Sequence, residues 1–230
     1  LDREYDAFDV KAMAHEIDAR LRALGPGART PEVRAVRRAY SRRLAGAAPE
    51  QVFALAFELL TTYGHRWVSY ELVHDHRAAR RSLGTAEVER FGQGIDSWGT
   101  VDAFARTLSG PAWREGQVAD EVIHAWARSP DRWWRRAALV STVALNVRSR
   151  GGRGDVPRTL EVCRMLVADG EDMVVKAMSW ALRELVPHDP DAVGAFLDEG
   201  QGVLAARVQR EVRNKLETGL KNPRRTARRV

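Results

Sequence analysis

The sequence predicts an all-α protein, a helical-repeat solenoid of about six antiparallel helix pairs. Apolar residues recur at helical spacing over most of the 230 residues, and nothing reads convincingly as a strand. A helix-start signal is also repeated down the chain. Thr30-Pro31-Glu32, Ala48-Pro49-Glu50, Ser129-Pro130-Asp131 and Asp189-Pro190-Asp191 each put proline at a first helical position with an acid directly after it.

The first helix is predicted over 8–24, where Val10, Met13, Ala14, Ile17, Leu21 and Leu24 form one face before Gly25-Pro26-Gly27 breaks the run. The second, 31–45, carries the basic group Arg37, Arg38, Arg42 and Arg43. Helices at 49–63, 66–80 and 86–93 follow. His74-Asp75-His76 lies in the 66–80 segment, but histidines two apart on a helix face different ways, so no metal site is expected. A helix over 98–109 begins at the N-cap Ser97, and further helices are placed at 114–128, 131–147, 156–168, 172–186, 190–199 and 204–219. The second helices resemble one another: Asp131-Arg132-Trp133-Trp134-Arg135-Arg136-Ala137 parallels Asp172-Met173-Val174-Val175-Lys176-Ala177, with Arg136 and Lys176 40 residues apart. A pair every 40 residues or so is the period of HEAT-like solenoids, whose second helices line a concave face. That face is expected to be basic. One repeat domain is assigned to 1–220 and a basic tail to 221–230.

Composition narrows the function classes. A net charge of +6, with four lysines among 37 basic residues, leaves arginine to supply nearly all the positive charge. Arginine forks phosphate oxygens, which suits a nucleic acid; a coding bias yields the same excess. Cys163 is the single cysteine, which excludes an internal disulfide, an iron–sulfur cluster and any multi-cysteine zinc site, and suggests a reduced, cytoplasmic setting. No signal-type opening and no apolar run near the ~20 residues of a bilayer span is present, so no membrane role is expected. There is no phosphate-cradling glycine motif, and neither a nucleotide nor any other cofactor is expected.

The chemistry centres on Ser97-Trp98-Gly99-Thr100-Val101-Asp102, where Trp98 and Asp102 share a helix face. In one interpretation Trp98 is core and Asp102 pairs with Arg106 one turn on. In the other, Asp102 and Trp98 meet Arg136 and Trp180 from the next two second helices on one inner surface.

These residues resemble the bacterial DNA alkylation repair enzymes of the AlkD type, HEAT-like alkylpurine DNA glycosylases. The resemblance rests on Trp98 and Asp102 in SWGTVD, Arg136 in WWRRAAL, and Trp180, Arg183 and Glu184 in KAMSWALRE, with a weaker match at Arg29-Thr30-Pro31-Glu32-Val33-Arg34. It implies hydrolysis of the N-glycosidic bond of cationic N3- or N7-alkylated purines in duplex DNA, without extrusion of the base, to leave an abasic site. By this resemblance Asp102 stabilises the cationic deoxyribose and positions water, Trp98 and Trp180 pack on the sugar, and Arg136 holds a phosphate. Lys176, Arg183, Arg148, Arg150 and Arg153 are the further DNA-binding candidates; the last three ride on or beside a Gly-rich loop longer than the family usually has. A monomer acting on the bacterial nucleoid is expected. Two positions depart from the pattern: Gly99 replaces a frequent acid, and Glu16 stands where an aromatic residue is expected. A non-catalytic HEAT-like protein that binds DNA structures or a protein partner is the alternative.

Overall fold

The computed structural model describes residues 9–223, and all regular structure within them is helical. The chain divides into two compact units, Leu1–Gln93 and Gly94–Val230, within what the sequence assigns to one domain. Of the expected basic tail, residues 224–230 lie outside the described residues.

The first unit holds α1 (Val10–Ala23), α2 (Thr30–Arg43), α3 (Pro49–Thr61), α4 (Arg66–Asp75), α5 (Arg77–Arg81) and α6 (Thr85–Gly92). The stripe predicted on α1 enters the core: Ala14 and Ile17 are buried with Tyr40, Leu44, Leu55, Leu59, Val68 and Leu72, and Val10, Met13 and Leu21 pack against them. Leu24, past the helix end, is exposed. The α2 helix begins at Thr30, one residue earlier than expected, and the Glu32 carboxylate accepts the Arg29 N–H at 2.7 Å. The helix expected over 66–80 is broken at His76, whose extended backbone ends α4 and whose Nδ1 accepts the Ala79 N–H at 3.1 Å to start α5. Arg37, from the basic group on α2, is buried and ion-paired with Glu71 and Asp75.

The second unit runs from α7 (Trp98–Phe104) through a π-helical turn (Ala105–Ser109) into α8 (Gly110–Arg114). After these come α9 (Asp120–Ala127), α10 (Arg132–Asn146), a 3-10 turn (Arg148–Arg150), α11 (Val156–Met165), α12 (Asp172–Leu185), α13 (Pro190–Glu199) and α14 (Ala206–Thr218). The α7–α8 segment, α10, α12 and α14 pack successively side by side, while α9, α11 and α13 pack between and behind them, as in a stacked helical repeat. Caps start several of these helices: Asp131 accepts from the Trp133 N–H, Asp155 from that of Arg158 and Asp189 from that of Ala192. Pro190 takes the first helical position as predicted, whereas Pro130 lies just outside α10.

The helix expected to stop at 109 continues to Arg114, and the next begins only at Asp120. Pro111 explains the π turn. In an α-helix its ring would collide with the carbonyl four residues back, whereas the wider turn, in which the Gly110 N–H reaches the Ala105 carbonyl, leaves room for it. Gly110 is required as well. A Cβ there would lie 2.6 Å from the Ala144 Cβ and 2.7 Å from the Ser141 carbonyl oxygen, so this turn lies directly against α10. The buried Ser109 and Ser141 hydroxyls bond across the same seam at 2.8 Å.

Candidate active site

Helix α7 starts where the sequence places it. The Ser97 hydroxyl accepts the Thr100 N–H, and the Thr100 hydroxyl in turn accepts the Ser97 N–H at 3.1 Å. Trp98 and Asp102 therefore occupy successive turns of one face. Trp98 is 63% exposed, so it is not core.

Asp102 does not pair with Arg106. Its two carboxylate oxygens accept Nε–H and an Nη–H of Arg136, from α10, both at 3.0 Å, a bidentate fork. The remaining terminal nitrogen of Arg136 donates to the Met173 carbonyl of α12 at 2.6 Å. The fork that the resemblance aims at a DNA phosphate is thus closed on Asp102 in this structure. The arginine is buried and the carboxylate keeps a partly open edge, with side-chain exposures of 6% and 17%. Burial pushes the Asp102 carboxyl above the ordinary aspartate range, against the opposing pull of Arg136 and, more weakly, Arg106.

Arg106 lies in the π turn, and its guanidinium carbon stands 5.3 Å from the centroid of the Trp180 ring. The indole N–H of that ring donates to Glu184 at 3.0 Å. Trp180 is therefore brought to the Asp102 helix through Arg106, a residue that sequence reasoning considered only as an ion-pair partner. Among the described residues its buried Nε has no hydrogen-bond partner. Burial lowers the Arg106 pKa, and the like charge of Arg150 lowers it further.

The other candidates divide. Lys176, one turn before Trp180, is exposed and pairs with Asp172 at 2.6 Å. Arg183 is half-buried; its Nε donates to the Ser179 hydroxyl at 3.3 Å, and burial lowers its pKa. Arg148 donates to the Pro187 carbonyl, and Arg150 and Arg153 have exposed side chains. Their loop is an ordered cap on α10: the Gly152 N–H bonds Val147, and those of Arg153 and Gly154 bond Leu145. Gly154, at φ +88°, passes so close to His188 that a Cβ would lie 2.6 Å from the ring.

Among the other tryptophans, Trp134 packs on Trp126 and Phe104, with centroids 4.8 and 6.0 Å away, and Trp113 is fully buried. Trp133 lies under Arg132, and Trp67, in the first unit, under Arg34. Glu16, also in the first unit, is held by Arg43 and Arg20, and the Arg43 hydrogen bonds keep its carboxyl below the usual range.

The family model described as DNA alkylation repair enzyme matches residues 6–218. No curated protein matches the chain.

Proposed function

Because the chain belongs to the DNA alkylation repair enzyme family, its role lies in the repair of alkylated DNA, and we propose that it is a monofunctional glycosylase acting on cationic N3- or N7-alkylated purines in a duplex. One observation carries the reading: a single carboxylate, Asp102, is clamped by a buried arginine with an edge left open, one turn from an exposed indole.

The chemistry asks for little more. An N3- or N7-alkylated purine is already positively charged, so its C1′–N bond breaks with the electron pair going to the base, which leaves neutral. No general acid is required, unlike the paired carboxylates of sugar hydrolases. The deoxyribose left behind carries the positive charge, and the Asp102 carboxylate, preoriented by the Arg136 fork, stabilises it. The same carboxylate accepts a hydrogen bond from the attacking water, whose proton is released as the C1′–O bond forms. Trp98 presents its π face to the sugar. An exposed indole beside the carboxylate suits approach from the sugar-phosphate side, with the base left in the stack. Lys176, one turn before Trp180, has its head group on Asp172, which favours a hydrolase over a lyase that needs a Schiff-base amine. The enzyme acts without a cofactor, on the cytoplasmic nucleoid.

Release of free base from duplexes containing N7-methylguanine or N3-methyladenine tests this. Wild type is expected to release base and generate alkali-labile sites, and Asp102→Asn to do so about 10²–10³-fold more slowly, while still binding DNA. Background release by both proteins on every alkylated duplex removes the glycosylase reading in favour of a non-catalytic DNA-binding relative.

A further inference from the structure

Trp180, on α12, has one edge tethered by its own helix, where the indole N–H donates to Glu184 at 3.0 Å. Its face is covered from a different helix pair: the Arg106 guanidinium lies over the ring, 5.3 Å from the centroid. Arg106 is in turn placed by the π turn, and that turn is pinned to α10. A Cβ on Gly110 would meet the Ala144 Cβ at 2.6 Å, and the Ser109 and Ser141 hydroxyls bond across the seam at 2.8 Å.

This placement weighs against stability. The Arg106 Nε is buried and has no hydrogen-bond partner among the described residues. Burial lowers the proton affinity of the group and the charge of Arg150 adds to that, while the carboxylates of Asp102 and Glu184 oppose it. A buried donor without an acceptor weakens a fold, and a methionine of similar reach would pack here without one. What the guanidinium alone supplies is a flat cation for the face of the ring.

We propose that Arg106 is a positioning residue: laid over one face of Trp180, its guanidinium holds the indole as a wall for the deoxyribose on which Asp102 acts. The proposal rests on the glycosylase reading of the Asp102 face. It also gives the two tryptophans different work. The quadrupole of an indole attracts a cation to its face, and on Trp180 that attraction is already engaged by Arg106, whereas Trp98 is 63% exposed. Trp98 therefore offers its π system to the developing sugar cation, and Trp180 restricts where the sugar lies.

Arg106→Met, Trp180→Leu and the double variant test this. Single-turnover base release from an N7-methylguanine duplex gives a maximal rate and a half-saturating enzyme concentration. Arg106→Met should lower the maximal rate about 3- to 30-fold, the span of a cation–π contact from exposed to desolvated. The half-saturating concentration, set by phosphate contacts, should stay at the wild-type value. In the Trp180→Leu background the same substitution should have no further effect. Arg106→Lys, which keeps a cation over the ring, should recover part of the rate. The thermal midpoint of Arg106→Met should hold, because an orphaned donor is removed, and its near-UV circular dichroism should lose the indole contribution that Trp180→Leu also loses. Equal rate losses in both backgrounds, a lowered midpoint or an unchanged near-UV spectrum overturns the proposal. So does a slope of log duplex affinity against log salt reduced by about 0.9, which would make Arg106 a phosphate contact. If Arg106→Met fails to fold, Arg106→Gln takes its place in the rate, spectral and salt measurements. Absence of base release by wild type sinks the glycosylase reading, and the near-UV comparison then decides alone whether Arg106 holds the ring.

Discussion

Replacing Arg136 by alanine separates a buried partner of the carboxylate from a surface ligand of DNA. The side chain makes two charge-assisted hydrogen bonds to Asp102 and one to the Met173 carbonyl, and it is 6% exposed. Breaking a buried ion pair by removing one partner costs about 3–5 kcal/mol, because the other charge stays behind uncompensated. Asp102 keeps 17% of its side-chain surface open and regains some water, which places the expected loss near the lower end, about 3 kcal/mol. At about 2–4 °C per kcal/mol for a chain of this size, the thermal midpoint should fall by about 6–12 °C. The assay is thermal unfolding at 222 nm, run beside the salt dependence of duplex binding on folded protein at low temperature. A midpoint within 2 °C of wild type together with a slope reduced by about 0.9 would refute the argument, for that is how an exposed phosphate contact behaves.

Other perturbations probe the same unit. Burial raises the Asp102 pKa, and in the proposed mechanism the carboxylate is the working form, so base release should fall on acidification through a value above the ordinary aspartate range. The residual activity of Asp102→Asn should lack that limb, and an identical acid limb in both proteins assigns it to another group. Gly110→Ala adds a methyl 2.6 Å from the Ala144 Cβ. The overpacking, about 1–3 kcal/mol, outweighs the gain of about 1 kcal/mol that alanine brings to a helix; a thermal midpoint at or above the wild-type value contradicts the close seam. Burial pushes the Cys163 thiol up to about 12, so an aromatic disulfide reagent should label it only in denaturant. Stoichiometric labelling of native protein at pH 8 would show that the α11 face opens.

Much of the fold was legible because local chemistry decides it. The Ser97 cap, Pro49 and Pro190 at first helical positions and the α1 stripe all act within a few residues, and each appears as read. The exceptions have equally local causes that spacing rules do not encode. His76 looks like one more helical residue until its ring accepts a backbone N–H, and Pro111 looks like a terminator until a π turn absorbs it. The site was legible by residue type, less so by pairing. An i, i+4 spacing favours Asp102 with Arg106, but Arg136 approaches from 34 residues away and its fork takes both carboxylate oxygens. The contact of Arg106 with Trp180 depends on the altered phase of a π turn, which no helical spacing foretells.

The Met173 carbonyl, which accepts from Arg136, ties the aim of Asp102 to a third helix pair. The Asp102 carboxylate is thereby aligned by a relay: carboxylate from one pair, guanidinium from the next, peptide oxygen from the one after. Changes of length between α10 and α12 are then constrained at a single atom. An insertion there leaves the carboxylate on target only if the extra residues loop out and return the oxygen of residue 173 to the same point in space.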